Sequence, residues 1–326
     1  MLLKSRMDTE FDPHFLAYGD LSAPDSSLNL KLWADQVVLC FQPVYELETG
    51  RVVHNEVLVR WQTPPGELLP PQAFLDKLRG TKLLADLDRL VVTKAIAVLQ
   101  EQSQVVLTVN LSDVTLGDDS FLVYLQKQLR DTNIDPKRLG FELPEMLIQP
   151  HDQTQMGWLR RLRRLGCWIT VDSCTGKQFS LQEWQSLPVD RVKLDRQLVA
   201  QFEERDTQTL AIALVKVNQL FKRPCIAKGI DDQTLLNRAR RLGVQEVQGY
   251  YLRTPQRKPH LFISFSLLGT GFVSLLVLLY LLKSFLGINL VPQEHAWQVI
   301  WNFIAPLWDA VPESRPTPGP DKISPD

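Results

Sequence analysis

Glu56, Asn110, Glu142 and Asp172 each stand at the end of a short apolar run, and Lys193 and Lys228 end two more. Carboxylate and amide oxygens are hard donors of the kind that bind Mg2+, Mn2+ or Ca2+, and such ions clamp phosphates and activate water in phosphodiester hydrolysis. Taken singly, each of these residues reads more readily as a cap or a rim ion pair; their shared place at successive run ends is what suggests a site. Lys228 poses the sharper question. In "RPCIAKGIDD", residues 223–232, it follows a three-residue apolar run and precedes a glycine and a pair of acids. Its ammonium either points into a pocket or is tolerated at a rim, leaning to solvent or pairing with Asp231 or Asp232.

The elements that must position these groups follow from periodicity. From about residue 36 the chain offers eight strand candidates: "VVLCFQPVYEL", "VVHNEVLVRW", "VVLTVNLS", "LGFELPEML", "CWITVDSC", "RVKLDRQ", "PCIAKGI" and "VQGYYL". Intervening segments such as residues 74–100 and 119–129 place apolar side chains three and four apart, as an amphipathic helix does. Strand and helix alternating about eight times predicts an α/β fold, a TIM-like (β/α)8 barrel, with an open doubly wound sheet as the alternative. The run ends favour the barrel. Gln42, Glu56, Asn110, Glu142, Asp172, Lys193, Lys228 and Gln248 all fall there, and in a closed barrel such tips converge on one mouth.

Composition narrows the function classes. The 326 residues carry a net charge of −1, 44% hydrophobic and 22% charged side chains, which does not describe a nucleic-acid-binding protein. Cys40, Cys167, Cys174 and Cys225 show no CxxC pairing and lie in or beside apolar runs, so reduced thiols are expected. The histidines show no HExxH spacing, and there is no GxxxxGK[ST] phosphate loop. His54 shares a strand face with Glu56, which leaves packing at a half-buried position and support of Glu56 both open. "RRLRRL", residues 160–165, reads as the solvated basic face of a barrel helix.

Towards the carboxyl end, "LFISFSLLGTGFVSLLVLLYLL", residues 261–282, is free of charge. As a helix rising about 1.5 Å per residue it would span roughly 33 Å, enough to cross a hydrocarbon core. A buried core helix is the alternative, and the missing polar face speaks against it. Arg253, Arg257 and Lys258 precede this stretch and Lys283 alone follows, which predicts a single-pass membrane protein with its barrel in the cytoplasm. Residues 283–326 hold Trp297, Trp301 and Trp308 among aliphatics, suiting a helix at the lipid boundary or a small partner-binding helix, and then a Pro-rich polar tail. The amino-terminal residues 1–32 lack the apolar core of a secretory signal and show no recognisable cyclase or sensory domain.

"FQPVYELETGRVVHNEVLVRW", "VNLS", "FELPE", "LGCWITVDSCTG", "LPVDRVKLD", "AKGIDD" and "VQGYYLRTP" together resemble, in order and spacing, the motifs of the EAL family of bacterial cyclic di-GMP phosphodiesterases. "EVL" stands where that family has its signature Glu-Ala-Leu. The resemblance runs over about residues 33–256 and implies a domain at 33–258, a barrel with a modified first strand, and hydrolysis of cyclic di-GMP to the linear dinucleotide with two metal ions. It implies that Glu56, Asn110, Glu142 and Asp172 bind the first metal. It implies that Lys193 lies near the attacking water, that Gln248 helps hold the second-metal side, and that Gln42, Leu58 and Arg60 cradle the dinucleotide. The departures fall on one side: Ser173 stands in place of a second aspartate and Lys228 in place of the glutamate that serves the water. Asp231 replaces a further glutamate conservatively. The loop "SCTGKQFSL" keeps little of the glycine-rich pattern that in the family supports metal binding and dimerisation.

Two cations held roughly 3.5 to 4 Å apart need anionic oxygens to offset their repulsion. Two unit charges at about 4 Å interact by roughly 4 kcal/mol at an effective dielectric near 20, so a carboxylate changed to an ammonium undoes such a site. One Mg2+, Mn2+ or Ca2+ at the first site and no second metal are therefore expected. Three functions follow: a membrane-anchored receptor that binds cyclic di-GMP without hydrolysing it; an active phosphodiesterase with compensating groups; or a nucleotide-independent membrane-tethered scaffold for a protein partner whose identity the sequence leaves open.

Overall fold

The strand β1 (Val37–Glu46) and the strand β2 (Val52–Gln62) are rich in β-branched and aromatic residues and form a long antiparallel hairpin. Gly50, at φ +69°, supplies the left-handed turn residue that joins them. The computed structural model describes residues 34–261 apart from 64, 65, 79 and 80, and the side chain of residue 77 is not described.

Seven further strands complete the sheet: β3 (Leu68–Leu69), β4 (Leu107–Asn110), β5 (Leu139–Pro144), β6 (Trp168–Cys174), β7 (Arg191–Leu194), β8 (Cys225–Ala227) and β9 (Glu246–Val247). β2 and β4 to β9 are mutually parallel neighbours, and β1 closes the ring by pairing antiparallel with both β9 and β2. The result is the expected eight-strand barrel, with β3 a short antiparallel addition to β2. The antiparallel β1 is the modified first strand.

Helices α1 (Gln72–Leu78), α2 (Leu83–Glu101), α3 (Asp119–Thr132), α4 (Gln153–Arg164), α5 (Leu181–Ser186), α6 (Arg196–Ala200), α7 (Arg205–Leu220) and α8 (Gln233–Leu242) connect the strands. The single helical segment expected over 74–100 is two helices, and the Thr81 hydroxyl caps the first by donating to the Leu78 carbonyl at 2.7 Å. α2 buries Leu84, Leu87, Val91, Val92, Ile96 and Leu99, the apolar face that its spacing predicts. At α3, Asp118 accepts the Ser120 amide as N-cap.

Alternation along the strands fills the barrel interior in layers. A lower layer holds His54, Trp168, Arg191 and Glu246; an upper one holds Glu56, Asn110, Glu142, Asp172 and Lys193. Gly140 makes room for the indole below, because a methyl there would overlap the Trp168 ring. His54, expected half-buried, is 1% exposed.

The picture of polar residues at strand tips needs one correction. Asn110 ends β4, and Lys228 and Gln248 directly follow β8 and β9, but Glu56 and Gln42 lie in the middle of their strands. The hairpin overshoots the ring, since β2 pairs with β4 only over Asn55–Val57. Among the described residues no helix is long and apolar enough to cross a membrane. The expected span, Leu261 excepted, and the Trp-rich segment lie outside the described residues.

Candidate functional site

Lys193 is the centre of the mouth. The third residue of β7, it points inward and is 1% exposed, with its ammonium 2.6 Å from Glu142 Oε2 and 2.9 Å from Glu56 Oε2. Glu56 also accepts from Asn110 Nδ2 at 3.0 Å and Gln248 Nε2 at 2.8 Å, and Glu142 accepts from Thr108 Oγ1 at 2.9 Å. Six side chains from five strands or their ends thus form one hydrogen-bonded network with every carboxylate partnered. Its members lie at alternate positions of neighbouring strands: Glu56 is in register with Thr108, and Asn110 with Glu142.

The electrostatics follow from burial with incomplete compensation. Burial pushes the Glu56 carboxyl up, but the Lys193 ammonium and the donated hydrogen bonds outweigh it and hold the group at about 2. Glu142 goes the other way, to about 7, because burial and the Glu56 charge together exceed the help from Lys193. Burial opposes the charge on Lys193, yet the carboxylates of Glu142 and Glu56 hold its pKa above the ordinary lysine value.

Lys228 forms a separate cluster beside this one. Its ammonium donates to Asp172 Oδ1 at 2.8 Å, Asp172 Oδ2 at 3.0 Å and Ser173 Oγ at 2.6 Å. All three N–H groups are therefore used on β6. The lysine neither leans to solvent nor pairs with Asp231 or Asp232: Asp231 accepts from Arg196, and Asp232 caps α8 through the Leu235 amide. Ser173 sits at φ +53° in a bulge where the β6–β7 register shifts between Val171 and Cys174. That left-handed conformation suits Asp better than Ser, so the backbone still has the shape that an aspartate would fill comfortably.

The remaining expected residues are placed as follows. Gln42 is opposite Glu56 and donates to the Arg253 carbonyl at 3.2 Å. Leu58 and Arg60 continue along β2 beyond Glu56, and the Arg60 guanidinium turns back onto the Val59 carbonyl at 2.8 Å. Asp231 lies in the loop after β8, bound to Arg196 and outside the Lys193 network. Two contributors escaped the sequence reading. Thr108 supplies a buried donor to Glu142. Glu145, 4% exposed, accepts from the Thr175 amide at 2.8 Å, the Thr175 hydroxyl at 2.7 Å and the Gly176 amide at 3.2 Å, and so anchors the loop after Ser173. An acid inside the apolar stretch "FELPEML" was the available signal; nothing local named its partners.

Tested against metal binding, Glu56, Asn110, Glu142 and Asp172 offer the oxygen chemistry of one hard cation. Two lysines already compensate the three carboxylates, and among the described residues no three Asp, Glu, His or Cys side chains converge as a ligand set. The Lys228 ammonium on Asp172 and Ser173 places a positive charge beside these oxygen donors, which disfavours a second cation there.

The family model for the EAL domain matches residues 25–255. The chain belongs to the EAL family. Among its EAL relatives, the Escherichia coli cyclic di-GMP phosphodiesterase PdeR is 27% identical over 236 residues, covering 71% of this chain and 36% of PdeR. The Shewanella oneidensis cyclic di-GMP phosphodiesterase PdeB is 27% identical over 228 residues, 68% of this chain and 27% of PdeB. The matches thus span about a third of these relatives' length. The EAL domain of Pseudomonas aeruginosa FimX, solved bound to cyclic di-GMP, superposes with a TM-score of 0.65 at 25% identity, over 72% of this chain and 97% of that domain. EAL domains usually use divalent metals, Mg2+ or Mn2+, for cyclic di-GMP hydrolysis.

Proposed function

We propose that this EAL barrel is a membrane-anchored cyclic di-GMP receptor that does not hydrolyse its ligand. The observation that carries the reading is Lys228 seated on Asp172 and Ser173. A carboxylate at the Lys228 position would add to the charge that draws in metal; the ammonium instead neutralises Asp172 and occupies the side where a second cation would stand. An anionic dinucleotide then meets an ion pair rather than a bare carboxylate, which removes one cost of binding phosphate without metal. Ligand binding is supported by the retained Gln42, Leu58, Arg60 and Gln248, by the conservative Asp231, and by the likeness to the FimX domain solved with cyclic di-GMP. Membrane anchoring through residues 261–282, with the barrel cytoplasmic, rests on the uncharged stretch and its flanking basic residues.

Hydrolysis is the second reading, favoured by the intact network of Glu56, Asn110, Glu142, Lys193 and Gln248 and by relatives named as phosphodiesterases. Calorimetric titration of cyclic di-GMP into the full-length protein with Mg2+ present, followed by chromatography of the same mixture, separates the readings. Saturable binding with the cyclic ligand recovered intact is expected. Linear dinucleotide in the mixture would establish the phosphodiesterase, and absence of binding by folded protein would leave the interaction scaffold.

A further inference from the structure

The end of the barrel opposite the mouth holds a cavity of about 740 Å³, within the roughly 300 to 1,000 Å³ of small-molecule sites. It opens beside α4, against the starts of β6 and β7. Its wall carries Lys137, Arg160, Arg163, Arg164 and Arg191 against a single acid, Asp190. Asp190 is committed: its carboxylate takes Arg163 at 2.6 and 3.1 Å and the Ile169 amide at 2.9 Å. Arg191 lies over the Trp168 ring, 4.4 Å from its centroid, and reaches Glu246 at 3.4 Å. Lys137, Arg160 and Arg164 have no acidic partner among the described residues. The basic run at residues 160–165 is thus only partly accounted for as a solvated face: Arg161 pairs with Asp119 and Arg163 with Asp190, while Arg160 and Arg164 border the cavity with their charge uncompensated.

His54 also lines the cavity and is 1% exposed, edge-on to Trp168 with ring centroids 5.0 Å apart. Neither of its ring nitrogens has a hydrogen-bond partner among the described residues. Both nitrogens are therefore open to the polar atoms of an occupant. Buried polar atoms are normally partnered, so a cavity that ends on an unpartnered imidazole and begins at unpaired cations is built for an occupant.

We propose that this amino-terminal cavity is a second ligand site, separate from the mouth, that takes a phosphate-bearing small molecule with at least two negative charges. Guanidinium forks match phosphate oxygens two at a time, and the flanking Lys137 adds a point charge. The volume leaves room for a polar, uncharged portion that reaches His54. The two sites are one interior layer apart: His54 stands two residues before Glu56 on β2, and Arg191 two before Lys193 on β7.

The test is calorimetric titration of inorganic pyrophosphate into the full-length protein at low ionic strength with chloride as the other anion. Saturable binding near one equivalent is expected. Arg160→Glu with Arg164→Glu should weaken it by at least about 10-fold, since each charged hydrogen bond to an anion is worth roughly that factor. Both arginines are exposed, so the double variant should keep the wild-type denaturation midpoint. Lys228→Ala, at the other end of the barrel, should leave pyrophosphate affinity unchanged. A His54 imidazole resonance, assigned with His54→Gln, should shift on saturation in wild type and stay still in the arginine double variant. No saturable binding, equal binding by the double variant, or loss of binding in Lys228→Ala would each overturn the site.

Discussion

Lys193 and Lys228 both place an ammonium on carboxylates at one barrel mouth, yet the two clusters differ in kind. Lys193 is 1% exposed and bridges two carboxylates that are themselves held by Asn110, Gln248 and Thr108. Lys228 has its side chain 24% exposed and serves one carboxylate and a hydroxyl on a single strand. The first is part of the barrel's interior, where removing the cation strands buried negative charge. The second is a cover laid on the rim, where removing the cation exposes a carboxylate to water. A cation in the interior is therefore needed for the fold as well as for any chemistry, whereas a cation at the rim can be exchanged during divergence at little cost in stability.

The comparison is tested hardest at its buried end. Lys193→Met leaves Glu56 and Glu142 facing each other without a counter-ion and should cost about 3 to 5 kcal/mol of stability, read by chemical denaturation. A loss no larger than that of Lys228→Ala would erase the distinction. Next in size is the reversal of the rim. Ser173→Asp with Lys228→Glu restores the anionic side on a backbone already shaped for aspartate, and cyclic di-GMP turnover should rise by roughly 10² or more, the usual worth of a positioned general base. A double variant that binds the ligand and stays inert would show that these two positions do not by themselves decide turnover.

A pH experiment sharpens the interior cluster. Glu142 is raised from 4.5 to about 7, so the folded state holds its proton more tightly than the unfolded one. Its contribution to stability is full below pH 4.5 and is lost as pH rises through 7. Glu56, lowered from 4.5 to about 2, behaves oppositely, its contribution full above 4.5 and lost as pH falls towards 2. The stability difference between wild type and Glu142→Gln, measured by urea unfolding from pH 4.5 to 7, should therefore fall with pH; a flat difference would contradict the assignment. The smallest effect is expected at the rim, where Lys228→Ala should change stability by about 1 kcal/mol, because the pair is partly exposed and Asp172 can regain water.

Much of this was legible from residue types. Alternating strand and helix patterns announced a closed α/β barrel, and polar residues recurring at run ends marked Glu56, Asn110, Glu142, Asp172 and Lys193 as neighbours. The less legible parts share a cause: partners distant in the chain. Glu145 binds a loop thirty residues on, from Cys174 to Gly176. Lys228 was read against its neighbours Asp231 and Asp232, but β6 and β8 flank β7 and bring Asp172 closer than either.

By itself, the sequence determined the period of each element, the set of side chains facing inward, and the presence of Ser173 and Lys228 among the polar run ends, because these depend only on local order and residue chemistry. Only the tertiary structure decided which charge compensates which. Barrel closure sets Lys193 between Glu56 and Glu142, turns Lys228 onto Asp172, and gathers Lys137, Arg160 and Arg164 around a buried histidine. Electrostatic energy depends on distance and burial in space, and neither can be read from separation along the chain.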